Sequence, residues 1–153
     1  MRKLKVFLSY SHKDEEMKTI LDIHLSMLKR NDIIETWNDR CITVGSELEE
    51  EILSNLENAD IILLLVSPYF LASNYCYDKE MNIALNRHEN GNALVIPIIL
   101  KACDWLNSPL KKLTVTPKDG KFIKGWTDED EAYFQVKQDI ENAIQNFSKK
   151  VNP

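Results

Sequence analysis

Two unbroken apolar runs dominate the chain: IILLLV at 61–66 and ALVIPII at 93–99. A run without polar alternation is expected where a strand is buried on both faces, as in a parallel sheet covered by helices. A third apolar stretch, Val6, Phe7 and Leu8, lies within KVFLSY, and a short fourth covers Ile33 to Trp37. Between these runs the spacing changes to a helical period. Met17, Ile20, Leu21, His24 and Leu28 form one stripe, and Leu48, Ile52, Leu53 and Leu56 form another. Tyr133, Val136, Ile140, Ala143, Ile144 and Phe147 form a third, in the last helix. Ser11 with Asp14, Ser46 with Glu49, and Thr127 with Asp130 read as helix-opening boxes. A helix is expected over 73–89, with Asn90 and Gly91 as its stop signal. Residues 101–118 read as loop with a short helix around 105–113, and a weak fifth strand is expected near 121–125. Strands and helices alternate with no linker or repeat. One α/β domain over residues 1–153 follows, a flavodoxin-like, doubly wound, five-stranded parallel sheet with helices on both faces.

In such a sheet, ligands bind beyond the carboxyl ends of the strands, where the strand order reverses. That places Ser9, Tyr10 and Ser11, the loop 38–46, and the segment 67–80 around the expected crevice. Glu80 stands out within it. On a helix its neighbours three and four positions away are Cys76, Tyr77, Ile83 and Ala84, so it shares their apolar stripe. A carboxylate there loses solvation and needs a reason to be present. One reason is a hydrogen bond to a backbone amide or a pairing with arginine; the other is work on a ligand.

Charge and cysteine usage narrow the function classes. A net charge of -5 and a pI of about 5.2 argue against a basic face for nucleic acid or anionic membrane. The longest apolar run is too short to cross a bilayer. Cys41, Cys76 and Cys103 are odd in number and lack a paired spacing, as expected of reduced thiols in a cytoplasmic protein. His12, His24 and His88 are scattered, so no metal site is expected. The chain has no GxGxxG, no GxxxxGK[ST] and no G-x-S-x-G, which removes the usual pyrophosphate cradles and the hydrolase elbow. The strand ends carry Ser9, Tyr10, Ser67 and Pro68, not the acidic cluster of a phosphoacceptor domain.

VFLSYSHKD resembles the first signature box of Toll/interleukin-1 receptor (TIR) domains, and WNDRCITVGSELEEEI resembles their second box and its BB loop. ADIILLLVSPYFLASNYCYDKEM is similar to the third strand and following helix of bacterial members, and VIPIIL followed by CDW to the bacterial branch. The resemblance runs from Lys5 to about Phe147. It implies a five-stranded parallel sheet and, for the NAD-cleaving branch, cleavage of the nicotinamide–ribose bond, with NAD as substrate and no cofactor. Glu80 matches the catalytic glutamate of those enzymes. Phe7, Ser9, Tyr10 and Ser11 match pocket residues, and Trp37, Asp39, Arg40, Gly45 and Ser46 match residues bordering the nucleotide. Many such enzymes carry tryptophan four residues before the glutamate. Here that position is Cys76, and Cys76 and Tyr77 are the expected substrate contacts. The loop's apolar pair, Ile42 and Val44, is the expected interface to other TIR protomers, in a homo-oligomer or filament formed on activation. The implied role is an effector in bacterial, antiphage immune signalling, coupled to a sensor domain or partner subunit. The alternative is a non-catalytic TIR scaffold. ADP-ribose and a cyclic isomer are both open as products.

Overall fold

The structure is a computed structural model that describes residues 2–38 and 47–151. At its centre lies β3 (Ile61–Val66), in which every side chain is buried. It is flanked on one side by β1 (Leu4–Ser9), in the register Val6↔Ile61, and on the other by β4 (Leu94–Ile99), in the register Ile61↔Leu94. β2 (Ile34–Trp37) extends the sheet beyond β1, giving four parallel strands in the order β2-β1-β3-β4. The central pair carries the apolar runs because both of its faces are covered.

The expected fifth strand is absent among the described residues: Ile123–Gly125 is a tight 3₁₀ turn. Beyond β4 the described residues form one bridge, Ile98↔Thr116, with hydrogen bonds Ile99 N–H to Thr116 C=O (2.9 Å) and Thr116 N–H to Pro97 C=O (3.0 Å). Pro97 accepts on this outer side but has no N–H to give, and Pro117 follows the bridge at once. Prolines of this kind belong on an edge and end a ladder.

Successive residues of the strands face opposite layers. Val6, Leu8, Leu63 and Leu65 pack under α1 (Glu15–His24), α2 (Ser26–Arg30) and α6 (Glu129–Val151), against Leu21, Leu28, Tyr133 and Val136. Phe7, Ile62, Leu64 and Val66 face α3 (Leu48–Asn58), α4 (Pro68–Ala72) and α5 (Asn82–Glu89). Each of these buried aliphatic side chains contributes on the order of 1.5–3 kcal/mol of transfer free energy. The chain leaves β1 towards β2 on one edge and leaves β3 towards β4 on the other. Their exit segments therefore diverge, and a crevice opens beyond Ser9 and Val66.

The opposite end of the sheet is tied by ions. The Arg87 guanidinium donates to the carbonyls of Leu56 (2.9 Å), Ala59 (2.5 Å) and Asn92 (2.9 Å), joining the end of α3 to the turn before β4. Asp60 accepts two hydrogen bonds from Arg2 (both 2.7 Å) and one from the Lys5 amide (2.8 Å). Burial alone would push the Asp60 carboxyl up, but the Arg2 and Lys5 hydrogen bonds and the neighbouring positive charges outweigh it and hold it below its ordinary value of 3.8. A depressed carboxyl stabilises the fold above the unfolded-state pKa, and the contribution fades as pH falls through the lower native value. The stability difference between the wild type and Asp60→Asn should therefore be constant near neutral pH and shrink below about pH 4. Urea unfolding across pH 2–7 measures it; a difference that persists unchanged into acid would contradict the assignment.

Candidate functional site at the carboxyl end of the sheet

Ser9 ends β1 and faces the α3 side of the sheet, two residues on from Phe7. Glu80 reaches it from the segment after β3. In that segment the Ser67 hydroxyl caps α4, accepting from the Phe70 amide at 3.1 Å, with Pro68 in the first turn. α4 stops at Ser73, whose hydroxyl accepts from the Cys76 amide at 3.1 Å and opens a new helical segment, Asn74–Met81. This segment is a π-helix, where a continuous α-helix was expected from sequence. Cys76, Glu80 and Met81 are all buried, at spacings of four and five residues. In an α-helix, at 3.6 residues per turn, Met81 would sit about 140° round from Cys76. The wider π turn keeps all three on the inner face, and such turns are frequent at functional sites.

The Ser9 hydroxyl donates to Glu80 Oε1 at 2.6 Å. Ser9 is fully buried and Glu80 is 7% exposed. A carboxylate so withdrawn from water is costly unless hydrogen-bonded, and a hydroxyl–carboxylate bond of this length is of the charge-assisted kind. Glu80 forms the floor of a cleft of about 980 Å³. One wall is the turn after β1, with Tyr10, Ser11, His12 and Lys13; a second is the start of α3, with Leu48, Glu49 and Ile52; the third carries Ser73, Cys76 and Lys79. Lys79 pairs with Glu49 at 2.7 Å across the last two walls. Both partners are exposed, so the pair adds less than about 1 kcal/mol.

The structure gathers Ser9, Tyr10, Ser11, Cys76 and Glu80 at this cleft. Phe7 and Trp37 lie elsewhere: their rings stack at 5.3 Å, Phe7 in the core beneath α3 and Trp37 half-buried at the sheet edge. Tyr77 is half-buried against the same core. Asp39, Arg40, Ile42, Val44, Gly45 and Ser46 fall outside the described residues. The box Ser11/Asp14 is realised differently from expectation. Ser11 accepts from the Lys13 amide (3.3 Å) and opens a 3₁₀ turn, His12–Asp14. Asp14 turns inward, accepting from the Ser67 hydroxyl and from Lys101 Nζ (3.1 Å). At α3 the residue before the helix is Glu47, without a side-chain cap, and Glu49 is used by Lys79. His12, Lys13, Leu48, Glu49, Ile52, Ser73 and Lys79 were not named as site residues from sequence, although Ser73 and Lys79 fall in the segment 67–80 expected at the crevice. For Leu48 and Ile52 the apolar stripe gave no sign that its first turn borders a cleft. Among the described residues no cluster of three or more His, Cys, Asp or Glu is placed to hold a metal ion.

The sequence matches the TIR domain over residues 6–136. This chain belongs to the TIR domain family. It is 52% identical over 138 residues to the protein y4lF of Sinorhizobium fredii, covering 90% of this chain and 43% of that protein. It is 30% identical over 89 residues to the 2′ cyclic ADP-D-ribose synthase BtTIR of Bacteroides thetaiotaomicron, covering 58% of this chain and 30% of that one. The chain thus spans less than half the length of these curated relatives. Among solved structures it resembles the TIR domain of the Toll-related receptor TRR-2 of Hydra magnipapillata, with a TM-score of 0.63 and 24% identity over 90% of this chain and 96% of that one. The TIR domains of the activated Roq1 resistosome superpose with a TM-score of 0.64 at 17% identity, over 90% and 99% of the two chains. At these identities the likeness is one of fold.

Ser9→Ala removes a donor from a buried carboxylate. It should destabilise the TIR domain by about 1–3 kcal/mol. Glu80→Gln should cost less in the Ser9→Ala background than alone, because the two groups touch. Urea unfolding of the two single variants and the double variant measures this, and strictly additive effects would argue against the bond.

Proposed function

We propose that this TIR domain cleaves the nicotinamide–ribose bond of NAD, with Glu80 as the catalytic residue. The observation that carries the reading is the buried Glu80 carboxylate, oriented by Ser9, at the floor of the cleft at the sheet's switch point. The similarity to a protein named as a cyclic ADP-ribose synthase supports it.

The chemistry asks little of the protein. Nicotinamide in NAD is a pyridinium, so it leaves with the bonding electron pair as a neutral molecule, without a general acid. The ribose carbon becomes an oxocarbenium ion, as in glycoside cleavage. Glu80 faces that charge and accepts hydrogen bonds from ribose hydroxyls, and its placement by Ser9 means that no reorganisation is needed as charge develops. Attack by water, with loss of its proton, gives ADP-ribose; attack by a ribose hydroxyl or an adenine nitrogen gives a cyclic product. Where many NAD-cleaving relatives carry tryptophan, Cys76 leaves the nicotinamide a smaller contact.

In the whole protein this activity would serve as the effector of an immune, antiphage response in the cytoplasm. Segments outside this domain, or a partner subunit, would act as sensor, and self-association of TIR protomers through the loop bearing Ile42 and Val44 would activate it. Turnover per protomer should then rise with protein concentration, read alongside mass by light scattering. Constant turnover over a hundred-fold range would remove the assembly requirement.

Glu80→Gln keeps size and one acceptor oxygen for Ser9 but replaces the other with an N–H donor and removes the charge. It should lower NAD turnover by roughly a hundred-fold or more while the protein remains folded. Etheno-NAD fluorescence gives the rate and mass spectrometry the product. A folded Glu80→Gln variant with wild-type turnover would sink the catalytic assignment. A wild-type protein inert at every concentration would favour the scaffold reading.

A further inference from the structure

The crevice is crossed by two serine–carboxylate bonds that run in opposite directions. Ser9, at the end of β1, donates to Glu80 in the segment after β3. Ser67, just past the end of β3, donates to Asp14 in the segment after β1. The second bond lies outside the mechanism above. Asp14 is 1% exposed, and its other oxygen accepts from Lys101, just beyond β4, at 3.1 Å. One carboxylate thereby links the exits of three strands. Its sequence position matters: Asp14 directly follows the turn that forms one cleft wall, while Ser67 caps α4, which leads straight into the π-helix bearing Cys76 and Glu80.

We propose that Asp14 is a positioning residue that fixes the separation of these two walls and, through α4 and the π-helix, the placement of Glu80 over its substrate. The role rests on the NAD-cleaving reading for its catalytic consequence but not for its geometric one. A buried carboxylate with two donors cannot release one of them without a new partner, so the tie is rigid. With Asp14→Asn the side chain keeps its shape, but the ion pair with Lys101 is lost and the Ser67 bond weakens. The walls then separate, and Cys76, which is 5% exposed at the cleft, becomes accessible.

The test uses Asp14→Asn and, in case that variant does not fold, Ser67→Ala, which leaves the Lys101 pair intact. Alkylation by iodoacetamide, followed by peptide mass spectrometry, reads Cys76 and Cys103 separately, at a temperature well below the unfolding midpoint of each variant. The expected result is alkylation of Cys76 at least five-fold faster than in the wild type, with Cys103 unchanged. In the same preparations kcat for NAD should fall at least ten-fold with KM within three-fold, and Asp14→Asn should add little to the kcat loss already caused by Ser9→Ala. Unchanged Cys76 alkylation in a folded variant overturns the proposal whether or not NAD is turned over. Faster Cys76 alkylation with unchanged kcat overturns the link to Glu80. Faster alkylation in a protein whose wild type does not cleave NAD upholds the positioning role and removes the NAD-cleaving reading alone.

Discussion

A carboxylate withdrawn from water must be held by donors, and that requirement organises this domain's working end. Glu80 is tolerated because β1 ends in Ser9, whose hydroxyl points into the same layer. The sheet interior offers no such partner. β3 is aliphatic throughout and sealed on both faces, so it offers a buried polar side chain no partner along its length. Ser9, Asp14, Asn38, Ser67 and Glu80 are all buried, and all lie at or just beyond the carboxyl ends of β1, β2 and β3. At the other end, Arg87 and Asp60 meet mainly backbone groups and the half-free Arg2. One end of the sheet is thus held by Arg87 on main-chain carbonyls and by the Arg2–Asp60 ion pair, the other by serine–carboxylate pairs.

The π-helix belongs to the same constraint. α4 has only five residues before Ser73 restarts the chain, and the next helix must place Cys76 and Glu80 at the cleft and Met81 in the core. An α-helix cannot present residues five apart on one face, and the wider turn can. The π-helix therefore sits where a polar group and an apolar group compete for neighbouring inward positions. This is where local propensity yields to the demands of a site.

The sheet was legible in the sequence because its signal is apolar continuity, which IILLLV and LVIPII carry plainly. The cleft floor was legible too, since Glu80 on an apolar stripe and Ser9 at a strand end both follow from position alone. A fifth strand was expected near 121–125, where Phe122 and Ile123 are apolar, but Pro97 and Pro117 leave β4 as an edge. Asp14 was misread as a helix cap because the spacing from Ser11 fits one. Its true partners, Ser67 and Lys101, are 53 and 87 residues away, beyond any local pattern. The π register was hidden for a related reason: it is set by what lies beneath the helix, not by the helix's own sequence.

The floor and the walls of the cleft come from different parts of the fold, and this separates two properties of the proposed reaction. Breaking the bond to a pyridinium needs only a well-placed carboxylate, which the sheet supplies through Ser9 and Glu80. What then attacks the sugar cation depends on which nucleophile the walls hold against it, and those walls belong to a turn, a helix start and a half-exposed helical segment. In the proposed reaction, bond cleavage would rest on Ser9 and Glu80, and the choice between a linear and a cyclic product on cleft-lining residues such as His12, Lys13 and Leu48.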